Sequence, residues 1–246
     1  MIDLHSHILP GLDDGVESLA AALELARAAV ADGVEVLAAT PHVRDDYPTS
    51  ADEMERGIGD LRAALAAEGV ALELRSGGEI ALERLPLLAE EELRRFGLGG
   101  SKRSLLLEFP YFGWPLELEQ TVFDLRVRGW RPVLAHPERN DEVQINPERL
   151  GRLVESGVLV QLTAASLDGR FGRATRATAL RLLESRHAHL IGSDAHAPSL
   201  REVGLSAAAR AVGDPELARW LTIDVPRAIL DDTPLSERPP RRRRWL

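Results

Sequence analysis

The chain has 246 residues, 44% hydrophobic and 28% charged, with a formal net charge of −9. That length suits one large α/β domain with a substantial core, and the negative balance excludes a general nucleic-acid binder, whose partner selects basic surfaces. No apolar run approaches the ~20 residues that span a bilayer, which argues against stable membrane insertion, and the absence of cysteine excludes disulfides, thiolate metal sites and thiol nucleophiles.

The N-terminus shows no basic region followed by an apolar stretch, so the reading is of a cytoplasmic protein. Met1–His5 reads as a first strand, followed by a Gly/Pro-punctuated turn carrying Asp13 and Asp14. Glu17–Asp32 reads as a helix with Leu19, Leu23, Ala26 and Val30 on one face and Gly33 as its stop. Val34–Thr40 is strand two, Ala51–Glu68 a polar-faced helix, and Ala71–Gly77 strand three, which runs into Gly78-Glu79-Ile80. A short helix over Leu87–Phe96 precedes the apolar strand four, Ser104–Phe109. Leu116–Arg128 is a helix, Arg131–His136 strand five, and Pro147–Ser156 a helix with Asn146 as N-cap. Gly157–Thr163 is strand six, Ala174–Arg186 a helix and His189–Ser193 strand seven. Helices over Leu200–Val212, Pro215–Leu221 and Val225–Leu230 complete the pattern.

Strands alternating with helices imply a parallel sheet covered by helices. Seven such strands without a composition break favour one closed or nearly closed barrel over 1–235. Residues 236–246, with the run Arg241-Arg242-Arg243-Arg244, read as a basic, flexible tail.

The chemistry-bearing residues fall in one place. His5 and His7, two apart on a strand, face the same side. His42, Glu79, Glu108, His136, Asp194 and His196 each lie at or just past the C-terminal end of a predicted strand, and Asp13 or Asp14 can bend back from the first turn. In (β/α) barrels that end carries the active site. Nine candidate ligands of mixed imidazole and carboxylate exceed the needs of one ion and suggest two or three divalent ions, Mn²⁺, Fe or Zn²⁺. Such a cluster suits displacement at phosphorus. His187 and His189 repeat the His-x-His spacing at the start of strand seven, the opposite mouth, and read as structural. Asp3 reads as structural or as support for a ligand, and Glu83 as a helix-start charge.

The segments Met1-Ile2-Asp3-Leu4-His5-Ser6-His7-Ile8-Leu9-Pro10-Gly11-Leu12-Asp13-Asp14-Gly15, Ala39-Thr40-Pro41-His42, Gly78-Glu79-Ile80, Leu107-Glu108-Phe109, Ala135-His136-Pro137-Glu138-Arg139-Asn140 and Gly192-Ser193-Asp194-Ala195-His196 resemble the polymerase and histidinol phosphatase (PHP) superfamily. More narrowly they resemble its capsule-associated tyrosine-protein phosphatases of the CpsB/CapC/YwqE type. The resemblance implies a distorted (β/α)7 TIM-like barrel with a trinuclear, usually manganese-dependent site. By position, His5, His7, Asp14, His42, Glu79, Glu108, His136, Asp194 and His196 match the ligand set, with Asp13 shaping the turn. Arg139 and Arg201 match the phosphate-binding pair, a role that suits a guanidinium fork.

The implied function is hydrolysis of phosphotyrosine by metal-activated hydroxide, with His42, His136 or a metal assisting the leaving phenolate. The implied substrate is a bacterial tyrosine kinase of polysaccharide export, with a small phosphomonoester such as histidinol phosphate as the alternative. The segment Val43-Arg44-Asp45-Asp46-Tyr47-Pro48-Thr49 is more acidic than a phosphate-approach loop calls for and points to substrate choice. Composition leaves the oligomeric state open.

Overall fold

The computed structural model describes residues 1–197 and 203–240. Nine strands lie among them: β1 Ile2–Asp3, β2 Val36–Ala39, β3 His42–Val43, β4 Glu73–Ser76, β5 Glu79–Ala81, β6 Ser104–Glu108, β7 Arg131–Ala135, β8 Leu159–Thr163 and β9 Leu190–Gly192. Their ladders are parallel and form two sheets, β1-β2-β4 and β3-β5-β6-β7-β8-β9.

The nine are the seven expected strands with two of them broken. Expected strand two is β2, which stops at Thr40-Pro41 and resumes as β3; proline has no N–H for the ladder. Expected strand three is β4, which stops at Gly77-Gly78 and resumes as β5. A Cβ on Gly78 would lie 2.6 Å from the Phe96 ring, so only glycine admits this close approach. Each broken strand gives its first half to one sheet and its second half to the other, which is the distortion of the barrel.

Backbone bonds close the ring beyond β1. His7 N donates to Ala195 O at 2.8 Å, Asp194 N to His5 O at 2.9 Å, and Thr40 N to Ser6 O at 2.8 Å. Buried Asp3 adds a side-chain tie, its Oδ1 accepting from Ser193 N at 3.0 Å and His5 N at 3.2 Å. Burial pushes its carboxyl up to about 6, against the pull of the Ser193 bonds.

The first two helices form where the caps and periodicity place them. The first is Leu19–Ala31, capped by Ser18, and the second is Ala51–Ala67, opened by a Ser50/Glu53 capping box. The first helix buries Ala22, Leu25, Ala26 and Ala29, whereas Leu19 and Val30 are exposed. The predicted apolar face is therefore rotated, because small alanines let this helix approach the barrel closely. Asn146 makes no side-chain cap; Asn140 instead caps Asp141–Ile145, a helix the periodicity did not reveal. A second unpredicted short helix, Ala164–Asp168, follows β8 directly. Of the predicted helix Leu200–Val212, Leu205–Val212 is helical, and Leu200 lies outside the described residues.

One continuous apolar core fills the barrel and the helix layer. Of the tail, residues 236–240 lie against the N-terminal mouth: Arg238 donates to Ala188 O at 2.6 Å and Leu183 O at 2.9 Å, and Trp220 Nε1 donates to Ser236 O at 3.1 Å. Residues 241–246 lie outside the described residues. Among the described residues no helix is long and apolar enough to cross a membrane.

Candidate metal centre

The strand ends deliver their side chains to one buried mouth. His5, His7, His42, Glu79, His136, Asp194 and His196 are all buried there, with Asp14 at the rim. Three overlapping groups of potential ligand atoms result: His7, Asp14, His42 and His196; His5, Glu79 and His136; His5, His7 and Asp194. Atoms within each group lie within 4.8 Å of one another. Glu108 stands at the edge, its Oε2 3.7 Å from His42 Nδ1 and its Oε1 accepting from Arg44 at 2.8 Å.

The first turn is pressed against His7. A Cβ on Gly15 would fall 2.1 Å from the His7 carbonyl oxygen, so a side chain there would push the turn outward. With the turn closed, the two aspartates separate. Asp13 Oδ2 accepts from His7 Nδ1 at 2.7 Å and from the His42 backbone N–H at 2.9 Å, and its Oδ1 accepts from Gly15 N at 2.9 Å. Asp14 Oδ1 points to the centre, 3.2 Å from His196 Nε2 and 3.4 Å from His42 Nε2.

Outer partners turn the imidazoles inward. His5 Nδ1 donates to Gln161 Oε1 at 2.7 Å, His7 Nδ1 to Asp13, and His196 Nδ1 to the Asp194 carbonyl at 2.9 Å. Each of these bonds leaves Nε2 as a lone pair aimed at the centre, the arrangement that orients metal-ligating histidines. His136 and Asp194 hold positive φ values of 40° and 55°. Non-glycine residues in that region cluster at functional sites.

Electrostatics and unmet hydrogen bonds test whether a cation fits. Glu79 Oε2 lies 3.1 to 3.3 Å from ring nitrogens of His42, His5 and His7, yet it makes no hydrogen bond. His42 Nδ1 and His136 Nδ1 are likewise buried without a partner, and His5 Nε2 faces His7 Nε2 at 3.2 Å. Lone pairs converging on one another without protons between them fit divalent cations. Burial alone would lower the His42 imidazole, but the Glu79 charge and Asp14 bring it up to about 9. Burial would likewise lower His7, and Asp13 raises it well above the ordinary value. Burial would raise Glu79, but the charges of His5 and His42 hold it well below the carboxylate range. Glu108 is pushed up by burial and by the Glu79 charge.

Arg139 closes one side of the mouth. Its NH1 donates to Asp194 Oδ2 at 2.6 Å, and its guanidinium carbon lies 4.5 Å from the Tyr111 ring centroid and 4.8 Å from that of Phe171. Arg201 lies outside the described residues. Sequence reasoning missed Gln161, Arg44, Tyr111 and Phe171. Gln161 alone carried a signal, as the single amide inside the apolar run Leu159–Thr163. His189 sits at the other mouth, half-buried beside Trp220, its Nδ1 accepting from Val160 N at 3.1 Å.

A parallel barrel of seven broken or continuous strands, with this donor set at its C-terminal mouth, defines a metal-dependent hydrolase. Residues 1–230 match the family model described as capsular polysaccharide synthesis, CpsB/CapC, and the chain belongs to that family. It is 40% identical over 199 residues to the tyrosine-protein phosphatase YwqE of Bacillus subtilis (strain 168), covering 80% of this chain and 77% of that protein. It is 25% identical over 244 residues to the tyrosine-protein phosphatase CpsB of Streptococcus pneumoniae, covering 94% of this chain and 99% of that one. The fold superposes with a TM-score of 0.87, at 35% identity, on a crystal structure from work on YwqE and CpsB, described as unique metal-dependent tyrosine phosphatases. That match covers 98% of this chain and 100% of the other.

Proposed function

We propose that this chain is a metal-dependent protein-tyrosine phosphatase. The observation that carries the reading is the Glu79 oxygen faced by three imidazole nitrogens without a hydrogen bond, beside a guanidinium braced for phosphate. The ligands are His5, His7, Asp14, His42, Glu79, Glu108, His136, Asp194 and His196, holding two or three divalent ions, with Mn²⁺ the proposed metal. When bound, such ions acidify water and neutralise phosphoryl charge. The chain's own residues do the rest. Gln161 and Asp13 keep His5 and His7 turned inward. Arg139, fixed between two aromatic rings and tied to Asp194, offers its fork to the non-bridging phosphoryl oxygens and stabilises the charge growing there. Because the chain contains no cysteine, the thiol route to phosphotyrosine hydrolysis is closed to it.

The family's capsular polysaccharide context supports a cytoplasmic tyrosine kinase of polysaccharide export as the substrate protein. The test is turnover of a phosphotyrosyl peptide against histidinol phosphate by the Mn²⁺-loaded protein. Preference for the peptide is expected, and preference for histidinol phosphate overturns the reading.

A further inference from the structure

A cavity of about 510 Å³ opens beside the cluster of potential metal ligands, and Glu108 lines both. One wall is the acidic turn after His42, through Asp46; another is Glu83, in the first turn of the short helix Leu82–Leu87; the third is an aromatic loop carrying Phe112 and Trp114. That loop is braced. Asn140 Nδ2 donates to the carbonyls of Pro110 and Gly113, both at 2.8 Å, and Asp141 N donates to Tyr111 O at 3.0 Å. Trp114 packs edge-on against Phe109, while Phe112 is 80% exposed. An aromatic ring held out to solvent by a fixed loop is a contact surface.

The charges of the cavity do not balance. Asp46, Glu83 and Glu108 are set against one guanidinium, Arg44, whose Nε and two terminal nitrogens are already taken by Asp46 at 2.7 and 3.0 Å and Glu108 at 2.8 Å. Arg84 is turned away to Asp45 at 3.2 Å. Among the described residues Glu83 has no ion-pair partner. An apolar wall with a spare carboxylate at its edge matches a side chain with a long aliphatic stem and a cationic head.

We propose that this cavity receives a residue flanking the phosphotyrosine of the substrate protein and selects lysine or arginine there. The proposal rests on the phosphotyrosine reading above. It also gives the acidic segment after His42 a role: it discriminates between peptides rather than guiding phosphate.

The test compares kcat/KM for phosphotyrosyl peptides flanked by lysine, alanine or glutamate, with para-nitrophenyl phosphate as a substrate that has no flank. The order lysine, alanine, glutamate is expected, with about fivefold between the first two, the scale of a partly exposed ion pair. Glu83→Gln is expected to erase the lysine preference and Phe112→Ala to lower peptide turnover, both leaving para-nitrophenyl phosphate turnover unchanged. A flat or inverted order, or a lysine preference that survives Glu83→Gln, overturns the subsite while the phosphatase reading stands. Turnover of the small ester with none of any peptide overturns the phosphotyrosine reading and the subsite with it.

Discussion

At the scale of single residues, the site depends on groups that touch the reacting phosphate and on groups that hold those in place. Arg139 is proposed to be of the first kind. Its guanidinium is confined by Tyr111, Phe171 and Asp194 before any substrate arrives. Arg139→Ala is expected to lower kcat/KM on a phosphotyrosyl peptide about 100-fold, the cost of losing one preorganised donor. Arg139→Lys should recover only part, because an ammonium lacks the fork. Rates within twofold of the parent in Arg139→Ala would remove the arginine from the mechanism. Asp13 is of the second kind, since it orients His7 and does not face the centre. Asp13→Asn is expected to weaken Mn²⁺ binding about 10- to 100-fold, as loss of a carboxylate behind a ligating imidazole does elsewhere. Titration of the metal-free protein followed by calorimetry measures it.

At the scale of elements, the order of strands and the mouth to which each delivers its residues were legible from periodicity. The breaks in strands two and three were not. Alternation cannot say that the chain must leave one sheet at Pro41, or at Gly77-Gly78, and join another, because each break depends on the ladder available on the far side and the second on Phe96 pressing on Gly78. The partners of the site histidines were illegible for the same reason. His5 and Gln161 are 156 residues apart and meet only because β8 lies next to β9 and the chain after β9 joins the chain after β1. The His-x-His pairs could be told apart from sequence, since one ends a strand and the other begins one.

His189 supplies an element-scale prediction. Burial lowers its imidazole to about 4, helped by the Arg238 charge, and its Nδ1 must stay unprotonated to accept from Val160. A histidine whose folded pKa lies below its unfolded value stabilises the fold at pH above the unfolded value. That contribution is lost as pH falls from about 6.5 towards about 4. The full loss amounts to ~3 kcal/mol, at ~1.4 kcal/mol per unit. In His189→Asn, whose Oδ1 can accept the same bond, the decline in thermal stability over that window should be shallower. An unchanged slope would contradict the assignment.

At the scale of the whole molecule, the barrel gathers five of the chain's seven histidines and most of its buried carboxylates at one end, and ties its first and seventh strands by bonds adjacent to those residues. Folding and the metal site are therefore coupled. Metal that binds the folded form alone raises its stability by mass action, so Mn²⁺ should raise the melting temperature and a chelator should reverse the rise. The convergent imidazoles and carboxylates are proposed to hold the ions on which phosphotyrosine hydrolysis depends. The direct measurement is phosphate release from a phosphotyrosyl peptide by protein stripped with chelator, before and after Mn²⁺ is restored. No turnover is expected from the stripped protein, with recovery once Mn²⁺ is added; turnover that survives complete removal of metal would contradict a metal-dependent mechanism.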